Sequence, residues 1–191
     1  MKTMPPTVWI LSSLLVFTWP WILHGLALLP QENFDVEQFV GRWYEVAVVS
    51  DCPHYTSKKK ANPGVVALDL KRSDHVNLTV TSATFRNGSC QQTSMQYATT
   101  ETAGKFLYYV GRLGVDVGAY VVHTDYDGYA MMGLLSTERT SQNKTTIFKL
   151  YTRSLDVRPA VLKDFKVLVQ KHGMRNDDII FNETRTFHTC I

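Results

Sequence analysis

The sequence predicts an all-β domain of eight antiparallel strands, closed as an up-and-down barrel or stacked as a sandwich, followed by a single helix. Three observations carry that expectation. Strand-like runs of alternating or β-branched residues recur at short, regular spacing from Trp43 to Arg153. Most are divided by turn-forming clusters such as Asn87-Gly88 and Asp125-Tyr126-Asp127-Gly128. The first run opens on Gly41-Arg42-Trp43, which sets a large indole at the end of a strand, where it suits the taper of a small barrel.

Ahead of the domain, residues 1–27 read as a secretory signal peptide. Lys2 is their one charge, 8–23 is almost wholly apolar, and Gly25-Leu26-Ala27 is a small-x-small cleavage signature. A signal anchor is the alternative reading, but Trp, Pro and His interrupt the run near its end. Residues 28–191 are then the mature domain, long enough for one substantial core and expected to be extracellular, with no membrane span of its own.

Within the domain, Phe34 and Phe39 pack a short helical turn, Gly41 lets the chain reverse, and the first strand alternates from Trp43 onward. A long polar loop is expected next, from Ser50 through Cys52 and Lys58-Lys59-Lys60 to the turn Asn62-Pro63-Gly64. Strands follow at 65–70, 76–85, 90–98, 106–110, 117–123, 129–135 and 145–153. A helix comes last, with Asp156 as its cap, Pro159 in its first turn and Val161, Leu162, Phe165, Leu168 and Val169 on one apolar face that needs a sheet's outer surface. Residues 179–181 form a final short strand.

Composition narrows the function. Without Lys2 the 20 basic residues become 19 against 17 acidic ones, so the mature chain lacks the clustered basic charge of a nucleic-acid binder. The three lysines at 58–60 are expected to be solvated. No metal-ligand spacing, phosphate loop or hydrolase triad is present, and no cofactor is implied. His123 reads as a structural strand residue. Four sequons, at Asn77, Asn87, Asn143 and Asn182, are candidate glycosylation sites in a secreted chain. Three cysteines cannot all pair within one chain, so a thiol is left over.

Gly41-Arg42-Trp43-Tyr44, Thr124-Asp125-Tyr126 and Leu150-Tyr151-Thr152-Arg153 resemble, in order and separation, the three signature regions of the lipocalins. Ser50-Asp51-Cys52-Pro53, residues 104–108 and 120–127 are similar to the branch of that family that holds alpha-1-microglobulin, lipocalin-type prostaglandin D synthase and the gamma chain of the eighth complement component. The resemblance implies an eight-stranded antiparallel barrel with the helix packed outside and a cup that carries or scavenges a small hydrophobic ligand such as a retinoid, fatty acid or haem-like molecule. It implies that Arg153 stacks on Trp43 at the closed end, a pairing worth about 2 kcal/mol when partly desolvated. Gly41, Thr124, Asp125 and Tyr126 complete that structural end.

If Arg153 lies opposite Trp43, strand alternation points Glu45, Ala47 and Val49 into the cup from one side and Ile147, Lys149 and Tyr151 from the other. Glu45 then faces Tyr151, with Lys149 one step diagonal. Those polar groups read either as a ligand site or as a structural salt bridge in the barrel floor. Tyr108, Val110 and Val121 are further cup residues that the resemblance implies. It also implies a Cys90–Cys190 disulfide, leaving Cys52 at the cup's rim as a reactive thiol or as the link to a partner chain. Val110 and Ser136 stand where alpha-1-microglobulin carries pocket lysines, which weakens a thiol-dependent reductase or scavenger reading. Val65 and Val66 stand near the catalytic cysteine of the synthase, so isomerase activity is not expected.

Overall fold

The computed structural model describes residues 27–74, 77–86 and 88–183. Residues 1–26, where the signal peptide is expected, Asn87 and Cys190 lie outside the described residues.

Helix α1 (Val36–Phe39) precedes β1 (Gly41–Ser50), and α2 (Pro53–Ala61) follows it. Then come β2 (Val66–Arg72), β3 (Asn77–Arg86), β4 (Ser89–Thr99), β5 (Lys105–Val110), β6 (Val115–Thr124), β7 (Tyr129–Glu138) and β8 (Lys144–Thr152). Helix α3 (Pro159–Lys171) and the short β9 (Ile180–Phe181) end the described fold. Each of β2 to β7 pairs antiparallel with the strand that follows it, and β1 pairs with both β8 and β2. The eight strands therefore close on themselves, and α3 lies outside. Closure is what strands this apolar require, since an open edge invites pairing with other chains.

The closed end is built from aromatic packing and one arginine. Asp35 caps α1 by accepting from the Glu37 N–H at 2.8 Å, Phe34 meets Phe39 edge-on, and Phe39 lies tilted against Trp43. The Arg153 guanidinium lies 3.7 Å from the Trp43 ring centroid and donates to the carbonyls of Arg42, Gln38 and Tyr126. Gly41 takes φ 101°, and a β-carbon there would meet Arg153 Nη1 at 3.2 Å. That position needs glycine for its conformation, and the arginine leaves little room above it.

Thr124, Asp125 and Tyr126 make the adjoining turn. The Thr124 hydroxyl donates to the Tyr129 carbonyl, and Asp125 accepts from the N–H groups of Gly128 and Tyr129. The Tyr126 hydroxyl accepts from the Asp35 N–H at 2.9 Å, tying this turn to α1.

Two apolar layers share the strands. The inner one fills the barrel with Val48, Leu70, Val80, Val117, Ala119, Val121, Met132, Leu134 and Ile147 among others. The outer one lies under α3, where Val161, Phe165 and Val169 pack on Val46, Ala47, Val49, Phe148 and Leu150. Leu28 covers β7 at Gly133, where a β-carbon would collide with it at 2.7 Å.

Three expectations are corrected. The polar stretch after β1 is a helix, α2, because Pro53 starts it at N1 and Lys58-Lys59-Lys60-Ala61 in its second half are good helix formers. Helix α3 begins two residues beyond the expected cap: Arg158 is its N-cap and Asp156 makes no cap bond. The first strand does not alternate throughout. Its register on β8 passes from Glu45↔Tyr151 to Ala47↔Leu150, leaving Val46 as a bulge. One inserted residue reverses every later side chain, so Ala47 and Val49 face α3 and Val48 takes their place in the barrel.

Candidate functional site

The barrel's inner wall is apolar except around one carboxylate. Glu45 is 2% exposed, and no purely apolar site tolerates an ionised carboxylate without partners. It has three. Lys149 of β8 reaches Oε2 at 2.7 Å, Lys59 of α2 reaches Oε1 at 2.8 Å, and the Asn182 amide donates to Oε1 at 3.1 Å. Lys59 also donates to the Gly64 carbonyl at 3.0 Å, and Asn182 to the Glu45 carbonyl at 2.6 Å.

Burial pushes the Glu45 carboxyl up, but the Lys149 and Lys59 ammoniums outweigh it and hold the group down at about 2. For Lys149 the balance has the same winner: burial opposes the charge, and Glu45 raises its pKa well above the ordinary lysine value.

Each element supplies its group for a local reason. Glu45 lies before the bulge, so it keeps the inward parity set by Trp43. Lys149 sits on β8 between the outward Phe148 and Leu150. Tyr55 and Lys59 are one helical turn apart on α2, which turns both toward the barrel. Asn182 follows β9, which pairs with Ala47 and Val48 along the upper part of β1 that β2 leaves free.

Tyrosines surround the cluster. The Lys149 ammonium is 6.0 Å from the Tyr55 ring centroid. Tyr97 and Tyr108 stack at 4.1 Å with parallel rings across the seam between β4 and β5, where backbone pairing is confined to Ala98↔Leu107 and Thr99↔Phe106. Burial raises the pKa values of Tyr55, Tyr97, Tyr108 and Tyr151, and it outweighs the Lys149 ammonium, which pulls each of them down. All four phenols are neutral at neutral pH.

The residues expected in the cup divide accordingly. Glu45, Tyr108, Val110, Val121, Ile147, Lys149 and Tyr151 line or pack against the barrel interior. Ala47 and Val49 do not. Cys52 is the N-cap residue of α2, half-buried and free. Cys90 is engaged rather than free, on β4.

Of the sequon asparagines, Asn143 is exposed in the turn before β8, and Asn77 starts β3 with its amide donating to Asp74. The Asn182 amide nitrogen, where a glycan would attach, is turned inward onto Glu45. The expectation for Lys59 is corrected: it is buried, not solvated, and neither its run of lysines nor its spacing signals which of the three turns in. Nothing in the sequence marks Tyr55, Val48 or Tyr97 as site residues, and it marks Asn182 only as a sequon.

A separate hollow of about 540 Å³ lies on the outer face of β5, β6 and β7, between Lys105, Leu107, Gly118, Tyr120, Leu135 and Lys144. None of the ion cluster lines it. Among the described residues no helix is long and apolar enough to cross a membrane.

A closed eight-stranded antiparallel barrel with an apolar interior, a few convergent polar groups and an external C-terminal helix defines the class of small-ligand-binding barrels. The chain belongs to the lipocalin / cytosolic fatty-acid binding protein family, whose model matches residues 40–186. It is 40% identical over 185 residues to Protein AMBP of Pleuronectes platessa, covering 94% of this chain and 52% of that protein. Against Protein AMBP of Mus musculus the identity is 34% over 158 residues, 81% of this chain and 44% of the other. The chain thus spans about half the length of these curated relatives, which are the alpha-1-microglobulin/bikunin precursors of the branch identified above. Epididymal-specific lipocalin-5 of Mus musculus is 30% identical over 174 residues, 88% of this chain and 87% of that one.

Among solved structures, one described as "The Siderocalin Ex-FABP functions through dual ligand specificities" superposes with a TM-score of 0.63. It is 22% identical and covers 77% of this chain and 95% of its own, a likeness of fold.

Proposed function

We propose that this lipocalin is a secreted protein that carries or scavenges a small hydrophobic ligand, a retinoid, fatty acid or haem-like molecule, in its barrel. The observation that supports this reading most is the inner wall itself. Val48, Val117, Ala119, Val121, Leu134 and Ile147 are apolar and buried around one compact polar cluster, the pattern of a site that binds by shape and orients by a few contacts. On this reading residues 1–27 are removed on export, Cys90 pairs with Cys190 to hold the tail, and Asn77, Asn87 and Asn143 are the sequons open to glycosylation.

The test is titration of the purified mature chain with retinol, followed by quenching of its tryptophan emission, alongside native mass spectrometry of protein secreted by a eukaryotic host. Saturable one-to-one quenching, or a co-purified ligand mass, is the expected result. Absence of both, with retinol and with a fluorescent fatty acid, would reject the carrier reading.

A second reading is supported by one observation, the free Cys52 at the start of α2 beside the barrel's rim. It assigns this thiol to reductase or scavenging chemistry or to a disulfide with a partner chain. Non-reducing electrophoresis of the secreted protein and of Cys52→Ser separates the two: a covalent heteromer lost in the variant marks the partner link.

A further inference from the structure

The ladder between β4 and β5 stops short. β4 pairs with β3 at every rung from Asn77↔Ala98 to Arg86↔Ser89, but with β5 at Ala98↔Leu107 and Thr99↔Phe106 alone. At the next rung the rings of Tyr97 and Tyr108 stack, and no backbone pair follows. Over residues 91–97, then, β4 has a strand on one side only, and every second residue of the run turns its N–H and C=O toward the open side. The run stands clear of the barrel: residues 91–94 and 96 are exposed, although Gln91 and Thr93 share the parity of Tyr97, which packs on the barrel core. It is nonetheless held as a strand by β3, with Ser94 bonded to Thr81 at 2.8 Å and Gln96 donating to Thr79 at 2.9 Å. The comparable stretch of β1, past its pairing with β2, is covered by β9, whereas among the described residues nothing covers this stretch of β4.

We propose that this edge is a self-association surface, on which two copies of the chain pair their β4 strands antiparallel about a two-fold axis. Natural sheets keep exposed edges apart with charged residues or proline, and Ser89–Thr99 contains neither. An edge without charge has nothing to select an acidic or basic foreign strand, and nothing that repels its own image. A second copy supplies a strand of the same length, twist and neutrality, so the contact is isologous and closes at two. Residues that face the open side share one parity, so the axis passes through a residue rather than between two. Ser94 is the midpoint of the open run. An axis there sets Gln92 against Gln96 of the second copy and Thr93 against its Met95, uncharged pairs throughout, and joins the two β3–β4 hairpins into one continuous sheet. Strand pairing alone buries little surface, so the dimer is a weak, reversible one.

The experiment is sedimentation equilibrium of the mature chain carrying Cys52→Ser, in which a Cys52 bridge cannot form, at concentrations up to about 0.5 mM. A reversible monomer–dimer equilibrium is expected. Gln92→Lys with Gln96→Lys brings ammoniums face to face across the axis and should weaken the dimer at least about tenfold. Gln92→Glu with Gln96→Glu should do the same, and an equal mixture of the lysine and glutamate variants should restore association as a heterodimer. Ser94→Cys, opposite itself on the axis, should oxidise to a covalent dimer, whereas Thr81→Cys on the neighbouring strand should not. Should the lysine variant fail to fold, the equilibrium of the Cys52→Ser chain and the Ser94→Cys crosslink still decide. A monomer at every concentration would overturn the proposal, and so would a dimer that the lysine pair leaves unchanged. Slow amide exchange over residues 91–97 in a monomer would overturn it too, since another segment of the chain would then cover the edge.

Discussion

The Arg153 guanidinium lies over Trp43, 3.7 Å from its ring centroid, and the same side chain donates to the backbone carbonyls of Gln38 and Phe39 in α1, Arg42 in β1 and Tyr126 in the β6–β7 turn. One side chain thus joins three segments of the closed end. Arg153→Met removes the cation–π contact, about 2 kcal/mol, and leaves carbonyls unpaired, so a loss of about 3 kcal/mol in urea unfolding is expected. Arg153→Lys should fall between, because it keeps charge and loses the planar fork. A midpoint unchanged in Arg153→Met would show that the stack carries no stability.

The Glu45 carboxyl titrates at about 2 in the fold against an ordinary value of 4.5. A depressed folded pKa means stability that is present above the unfolded value and lost as pH falls through the folded one. The chain should therefore lose stability between about pH 4.5 and pH 2, beyond what its exposed carboxylates explain. Glu45→Gln should be less stable at pH 7 and should show a flatter dependence over that window. Parallel curves for parent and variant, from thermal melts at each pH, would contradict the ion cluster.

The bulge at Val46 makes opposite predictions for neighbours. Val48→Trp should fill the barrel and displace Nile red or retinol, with α3 left in place. Ala47→Trp should instead push against Phe165 and Val169 and destabilise the packing of α3 by about 1–3 kcal/mol. Ligand titration together with urea unfolding checks both. The reverse pattern would restore uninterrupted alternation along β1.

Asn182 donates from its amide nitrogen to two oxygens of Glu45, and a sugar on that nitrogen would replace one of the two hydrogens it uses there. Glycopeptide mapping of the chain from a secretory host should find Asn182 bare and Asn143 accessible. Asn182→Asp places a second carboxylate beside Glu45 and should destabilise the cluster, whereas substitution of Asn143 should have little effect on stability. A glycan found on Asn182 in folded protein would require β9 and its tail to sit elsewhere.

Much of this was legible in the amino-acid order. Eight strands and the outer helix follow from local alternation and turn residues, which depend on neighbours in the chain, whereas the Trp43–Arg153 end follows from the resemblance of the signature regions. The facing of Glu45 with Tyr151, and the approach of Lys149, came from the same alternation and hold because they lie on the near side of the bulge. Past Val46 the parity argument fails, because an inserted residue in a run of valines and alanine leaves no mark in composition. Tertiary structure alone decided which of three adjacent lysines is buried. Lys59 turns inward because the pitch of α2 sets it one turn after Tyr55, and because a carboxylate already buried in the barrel lowers the cost of bringing it there. It likewise decided the role of Asn182, which reaches Glu45 from 137 residues away through the pairing of β9 with the free half of β1. Local propensity writes strands and helices into a sequence, but a buried ion pair depends on where distant segments meet, and that is fixed when the barrel closes.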